Sequence, residues 1–333
     1  MLKLLLIIGL YLTQSAQAIP EVGYEVNWKN EVAPYFAQGH QRSLYNRQGL
    51  KLNFYSFTSH SNIKTLVILP GRTEPAIKYA ELVYDLKDQG YNIYILDHQG
   101  QGESDRLLKD SHKGHVRHFN DYVEDFSDWM SEVVVPETIN QKRYLLAHSM
   151  GGTIATLYLS KQNEVFKKAI LSGPMMQINT KPYSETIGRA LTAILVGAGI
   201  GKKYAPGKGP YLPSEDTFEN NEATHSVVRF NMAKNLFLEM PELMLGGPTN
   251  KWVHQSLIVT KNINRLSSNI KIPLLLLQSG KDLIVKPARQ ISFCGAISNC
   301  RLIHYATAYH EIFQETDEVR NEALREIQNF LAN

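Results

Sequence analysis

Few cysteines, no long hydrophobic run and no excess of one charge sign mark this 333-residue chain. Its two cysteines, Cys294 and Cys300, have nothing beside them in sequence that would arrange a nucleophile or a metal, so no thiol chemistry is assigned to them. Six residues apart, they would either close a small local loop worth at most about 2 kcal/mol or remain two buried thiols. Thirty-five Lys and Arg against 32 Asp and Glu leave a formal charge of +3. That balance gives no strong pull toward nucleic acid. The apolar run Leu4 to Leu12 is too short to span a bilayer, which takes about 20 residues, and no later segment qualifies. Internal repeats and low-complexity tracts are absent. What remains, 43% hydrophobic and 20% charged, suits one large globular domain or a core domain carrying an insertion.

The short apolar run has its own reading. Lys3 is a charged n-region, Leu4 to Leu12 an h-region, and Ala16-Gln17-Ala18 a small-x-small cleavage site, so residues 1 to 18 are expected to be a secretory signal and the protein to be periplasmic or secreted. The alternative is an uncleaved segment that keeps the protein at a membrane.

At the centre stands YLLAHSMGGTIATLYLS, residues 144 to 160. An apolar strand pattern meets small residues and then a helical pattern, so the chain must turn sharply at Ser149. This is the pattern of a nucleophile elbow. Such a turn crowds the residues two before and two after the serine, which must be small, and here they are Ala147 and Gly151. Alanine departs from the usual glycine by one methyl. The turn is expected to hold Ser149 in a strained conformation and to present its hydroxyl at a helix N-terminus, where unpaired N–H groups and the dipole favour negative charge.

Around the elbow, strands alternate with helices. RSLYNRQGLKLNFYSF (42–57) reads as an antiparallel hairpin at the sheet edge. TLVIL from Thr65 to Leu69, YNIYILD ending at Asp97, KKAILSG, IPLLLLQSG and RLIHYA read as further strands, most of them continuous apolar runs of the buried parallel kind. Helices are expected from Pro75 to about Gln89, over DYVEDFSDWMSEVV, and from about Glu315 to the end. From Pro174 to about Ser256 the alternation stops, although aromatics and helical spacing persist, so the segment reads as an insertion. The predicted fold is α/β, a mostly parallel sheet flanked by helices, with core 19–173, a helical cap 174–256 and core 257–333.

A serine hydroxyl needs a base, and the base needs a partner. Elbow hydrolases take them from later loops in the order serine, acid, histidine. Asp282 follows LLLLQSG and His310 follows RLIHYA, both at strand carboxyl ends. Asp282 could alternatively cap the helix opening near Pro287, and His310 could be a surface loop residue. For a tetrahedral oxyanion the expected donors are the backbone N–H groups of Met150 and Arg72. His112, His115 and His118 share an i, i+3 spacing, but no carboxylate or cysteine matches them and Gly114 argues for a loop. GQGES lacks the lysine and spacing of a phosphate cradle and reads as a structural turn. No metal or cofactor is therefore expected.

LPGRTEPAIKYAELVYDL, LDHQGQGESDRLL, GHVRHFNDYVEDF, RYLLAHSMGG, THSVVRF, GGPTNKWV and YHEIFQE together resemble the α/β-hydrolase fold, and within it the serine hydrolases of the monoacylglycerol lipase and lysophospholipase group, from about residue 40 to the C-terminus. The resemblance implies a triad Ser149, Asp282 and His310, oxyanion donors at Arg72 and Met150, and an insertion acting as a lid. It implies lysophospholipid or monoacylglycerol substrates, with transient contact with a membrane surface. Cap residues Leu191 to Ile200 are expected to shelter an acyl chain, or else to pack only on the core. The side chains of Arg72 and Lys78 are candidates for binding a phosphate, against an ordinary pairing of Arg72 with Glu74. General carboxylesterase activity and an inactive lipid-binding relative are the remaining alternatives.

Overall fold

The computed structural model describes residues 18–332. The expected leader, Ala18 apart, lies outside the described residues. Eight strands form one sheet: β1 (His40–Tyr45), β2 (Lys51–Phe57), β3 (Lys64–Leu69), β4 (Tyr91–Leu96), β5 (Lys142–His148), β6 (Lys168–Ser172), β7 (Leu274–Ser279) and β8 (Cys300–Tyr305). They lie in the order β1-β2-β4-β3-β5-β6-β7-β8. β1 and β2 form the expected antiparallel edge hairpin, β2 joins β4 antiparallel, and all other pairs are parallel.

Why the central strands are apolar on every residue is plain from their two faces. In β3, Val67 and Leu69 pack into one layer with Phe126, Trp129, Ile154 and Phe293, while Leu66 and Ile68 pack into the other with Phe36, Leu82 and Ile327. A strand covered on both sides has no polar face to alternate. The first layer is supplied by α4 (Phe119–Trp129), which continues through a π-helical turn (Met130–Val134) into the short α5 (Val135–Glu137), and by α6 (Met150–Leu159) and α10 (Pro287–Gly295). The second comes from α1 (Tyr24–Asn27), α2 (Ala33–Phe36), α3 (Ala80–Asp85) and the terminal α11 (Asp317–Ala332). The expected helix from Pro75 to Gln89 is shorter: a 3-10 turn Ala76–Tyr79 leads into α3, and turns follow from Leu86.

Between β6 and β7 lies the insertion, with α7 (Glu185–Gly197), α8 (Val227–Glu239) and α9 (Asn250–Lys261). All three begin with side-chain caps, from Ser184, Ser226 and Thr249. Each cap oxygen satisfies a first-turn N–H. The predicted boundary at Ser256 falls inside α9, because apolar spacing alone does not distinguish a cap helix from the core helix it packs on. Cys294 and Cys300 are joined as a disulfide between α10 and the start of β8. Among the described residues, no helix is long and apolar enough to cross a membrane.

Candidate active site

At the carboxyl edge of the sheet the chain turns from β5 into α6 through Ser149, whose φ of 49° and ψ of −114° place an L-residue in a disfavoured region. Sheet and helix enforce that strain. Gly151 is obligatory, since a Cβ there would collide with the carbonyls of Leu69 and Pro70. Ala147 is fully buried between its β3 and β6 partners, Leu69 and Leu171, and its one methyl is accommodated.

Asp282 and His310 arrive from the loops after β7 and β8. Nε2 of His310 lies 2.8 Å from Ser149 Oγ, and its Nδ1 lies 2.6 Å from Asp282 Oδ2. The other carboxylate oxygen, Oδ1, accepts the N–H groups of Ile284 and Val285, each at 2.9 Å. So the aspartate fixes its own turn and faces the imidazole; it does not cap the helix opening at Pro287, whose N-cap is Lys286 with no side-chain cap bond. Burial disfavours charging His310, but the Asp282 carboxylate and its hydrogen bond more than offset this and raise the pKa. For Asp282, burial acts upward, yet the imidazole and the two backbone N–H groups hold the carboxyl below its usual range. Ser149, Asp282 and His310 are all buried.

The loop after β3 lies against the serine. A Cβ on Gly71 would stand 3.2 Å from Ser149 Cβ and 2.7 Å from Glu74 Oε2, so only glycine lets this backbone approach. Several bonds pin the loop. Gly71 N–H and Tyr79 Oη each donate to Glu74 Oε2 at 2.6 Å, and Gln101 Nε2 donates to Gly71 O at 2.7 Å. GQGES therefore acts as the structural turn expected, holding up the loop that carries Arg72. Met150 is the first residue of α6, where N–H groups have no partner within the helix.

The two candidate phosphate side chains part company. Lys78 is a correction: its Nζ lies 2.7 Å from Glu311 Oε1 and 3.1 Å from Glu74 Oε1, so its charge is already answered by two carboxylates. A phosphate arriving there would meet net negative charge. Arg72 does not pair with Glu74. One Nη donates to Gly246 O, the guanidinium lies 5.2 Å from the Trp252 ring centre, and Nε has no partner. Among the described residues no carboxylate pairs with it. Burial pushes its pKa down to about 10, so it remains cationic at neutral pH.

A cavity of 490 Å³ holds Arg72, Ser149, Met150 and His310 in its wall, with Leu191, Trp252 and Leu257 of the cap beyond them. The expected acyl stretch is only partly right. Leu191 and Thr192 face the cavity, whereas Ile194 is 68% exposed, because the one-residue advance of 100° turns successive positions of α7 away. His112, His115 and His118 serve three separate tasks in the loop before α4: His112 Nδ1 accepts Tyr211 N–H, His115 Nδ1 meets Thr249 Oγ1 at 2.9 Å, and His118 N–H is held by Asp121.

Sequence reasoning missed the ion cluster beside the triad. Besides Lys78, Glu74 faces His148 Nε2 at 3.9 Å, and the His148 ring centre is 4.8 Å from that of His310. Burial lowers the pKa of His148 and keeps it neutral. The only advance signal was the charge of Glu74, three residues past Gly71 in a loop next to the serine.

Known proteins place this arrangement. The chain is 35% identical over 290 residues to lysophospholipase L2 of Escherichia coli (strain K12), covering 84% of both chains. It is 34% identical over 304 residues to the probable lysophospholipase L2 of Haemophilus influenzae, covering 90% of this chain and 95% of that one. In fold it is similar to a soluble variant of monoglyceride lipase from Saccharomyces cerevisiae solved with a substrate analog, with a TM-score of 0.68, 18% identity, and coverage of 88% of this chain and 94% of that one. The model of the Hydrolase_4 family, described as serine aminopeptidase, S33, matches residues 60–317. With well over half of its length inside that match, the chain belongs to the Hydrolase_4 family.

Proposed function

We propose that this protein is a lysophospholipase, a serine hydrolase that removes the remaining acyl chain of a lysophospholipid through an acyl-enzyme. The observation that carries the reading is the continuous relay from Ser149 Oγ through His310 to Asp282, set in the wall of a cavity lined by apolar cap residues. Ser149 attacks the ester carbonyl as His310 Nε2 takes its proton. Asp282 holds the imidazole in the needed tautomer and stabilises the imidazolium. The backbone N–H groups of Met150 and Arg72 receive the developing oxyanion. His310 then protonates the glycerol oxygen as it leaves. Water, activated by the same imidazole, attacks the acyl-enzyme and frees the fatty acid.

Each methylene buried against Leu191, Trp252 and Leu257 contributes about 0.8 kcal/mol, so a long acyl chain anchors the substrate. The relatives named lysophospholipase L2 support this substrate class over a peptide. Ile187 and Ile194 of α7, outside the cavity, and Tyr183, Leu283 and Ile284 in its wall are exposed apolar side chains. They support transient contact with a lipid surface, from which such a substrate is drawn. The disulfide and the leader support export to an oxidising compartment.

Comparing fatty-acid release from lysophospholipid and monoacylglycerol micelles tests the substrate. Faster turnover of the monoacylglycerol would favour the lipase reading instead. Arg72 sharpens the distinction, since a guanidinium without a carboxylate suits a phosphate. Arg72→Ala is expected to raise KM for lysophosphatidylcholine about tenfold while moving KM for a monoacylglycerol little, because the oxyanion donor at this position is backbone. Equal effects on the two would remove the phosphate role.

The pH profile follows from His310, which works only when neutral. Its pKa is raised, so kcat/KM should fall as pH drops through a point above the usual imidazole value. In Asp282→Asn the supporting charge is gone and the acid limb should move to lower pH. An acid limb unmoved by that substitution would mean that another group titrates.

A further inference from the structure

We propose that the chain is cut between Ala18 and Ile19, and that the α-ammonium group so released becomes a buried counter-ion of Asp85. The proposal does not depend on the chemistry at Ser149. It starts from how residue 19 is seated. The Ile19 side chain is 6% exposed, its backbone N donates to Asp85 Oδ1 at 3.0 Å, and its carbonyl accepts Arg229 Nη2 at 3.0 Å. Both backbone polar atoms of one residue are therefore taken by buried charged side chains, from α3 of the core and α8 of the cap.

The charges around that seat do not balance. Arg229 Nη2 lies 3.0 Å from Glu81 Oε1 and 2.8 Å from Asp317 Oδ1, while Arg320 lies 3.2 Å from Glu81 Oε1 and 2.6 Å from Asp85 Oδ2. Two guanidinium groups thus face three carboxylates, of which only Asp317, with its side chain 30% exposed, reaches water. Tyr24 Oη adds a neutral donor to Glu81 at 2.7 Å. Asp85 Oδ2 lies 2.6 Å from Arg320 Nη2, and its Oδ1 accepts Ile19 N–H at 3.0 Å, a neutral donor beside the guanidinium. Burial raises its pKa in spite of Arg320. A third cation at the position of Ile19 N would make three charges of each sign.

Hydrolysis of the Ala18–Ile19 bond supplies that cation. One water is added, the departing leader keeps the carboxylate of Ala18, and Ile19 keeps the ammonium. The catalyst is an export-type peptidase of the cell, and Ala16-Gln17-Ala18 is the small-x-small sequence such an enzyme cuts after. A neutral amide offers Asp85 one N–H, whereas the ammonium offers charge and three. Leader removal would then complete the ionic cluster that joins α3, α8 and α11.

Three measurements test this. The full-length gene expressed in an exporting bacterium should yield a chain whose first residue by mass spectrometry is Ile19. A chain made to start at Ile19 should melt at least about 2 °C above one retaining Ala18 behind a Gly-Ser extension, and the difference should vanish in the Asp85→Asn background. In the native Ile19 chain the α-amine should react with an acylating reagent at least about tenfold more slowly than in urea, a readout that does not require Asp85→Asn to fold. A terminus elsewhere than Ile19, equal melting of the two chains, or equal amine reactivity folded and unfolded would each overturn the proposal.

Discussion

Replacing Ser149 with alanine is expected to lower kcat about a million-fold while leaving the protein folded, because the three relay groups act as one unit and losing the attacking oxygen disables them together. The change is small in volume and Ser149 Oγ makes one bond, to His310. Turnover of lysophosphatidylcholine measures the loss, and labelling by a fluorophosphonate gives an independent reading, since only an activated serine forms the adduct. Wild-type protein that resists the probe would leave the geometry without chemistry, as in a lipid-binding relative. A variant that retains even a thousandth of the activity would point to a different nucleophile.

Asp282→Asn carries the second large effect, a loss of about 10,000-fold in kcat. The carboxylate accepts from His310 Nδ1 at 2.6 Å and from two backbone N–H groups through its other oxygen. An amide in its place turns either its NH₂ or its carbonyl toward Nδ1. Keeping the backbone bonds on the carbonyl aims the NH₂ at His310, which forces the proton onto Nε2 and leaves no lone pair to receive the Ser149 proton. Size is unchanged, so a melting temperature close to wild type is expected alongside the lost turnover. A hundredfold or smaller loss would mean that another carboxylate, Glu74 or Glu311, supports the imidazole.

The strands and the elbow were legible because local physics sets both. Buried parallel strands have no polar face, so TLVIL and PLLLLQ announce themselves, and the elbow demands small residues at fixed offsets, which Ala147 and Gly151 supply. Asp282 and His310 could be found because strand ends are where loops gather. Other features were hidden by distance in sequence. Arg229 sits in a segment that reads as an ordinary polar helix, yet it is fully buried, and its partner Glu81 lies 148 positions earlier. Lys78 reads as a free cation until Glu311, 233 positions later, is seen to face it. Helix spacing showed that the cap contains helices, but which turn of α7 faces the serine depends on how the helix is laid across the core, which its own sequence does not encode.

The ties of Arg229 bear on how firmly each side of the insertion is held. This one side chain of α8 reaches Glu81, Asp317, the Glu315 carbonyl and the Ile19 carbonyl, so lifting α8 would strand a charge in a dry interior. α7, by contrast, packs chiefly on its fellow lid helix α9 and turns Ile187 and Ile194 outward. The flap is thus riveted at one end and loose at the other. Greasy side chains face outward at the loose end, whereas the riveted end is tied to α3 and α11 of the core.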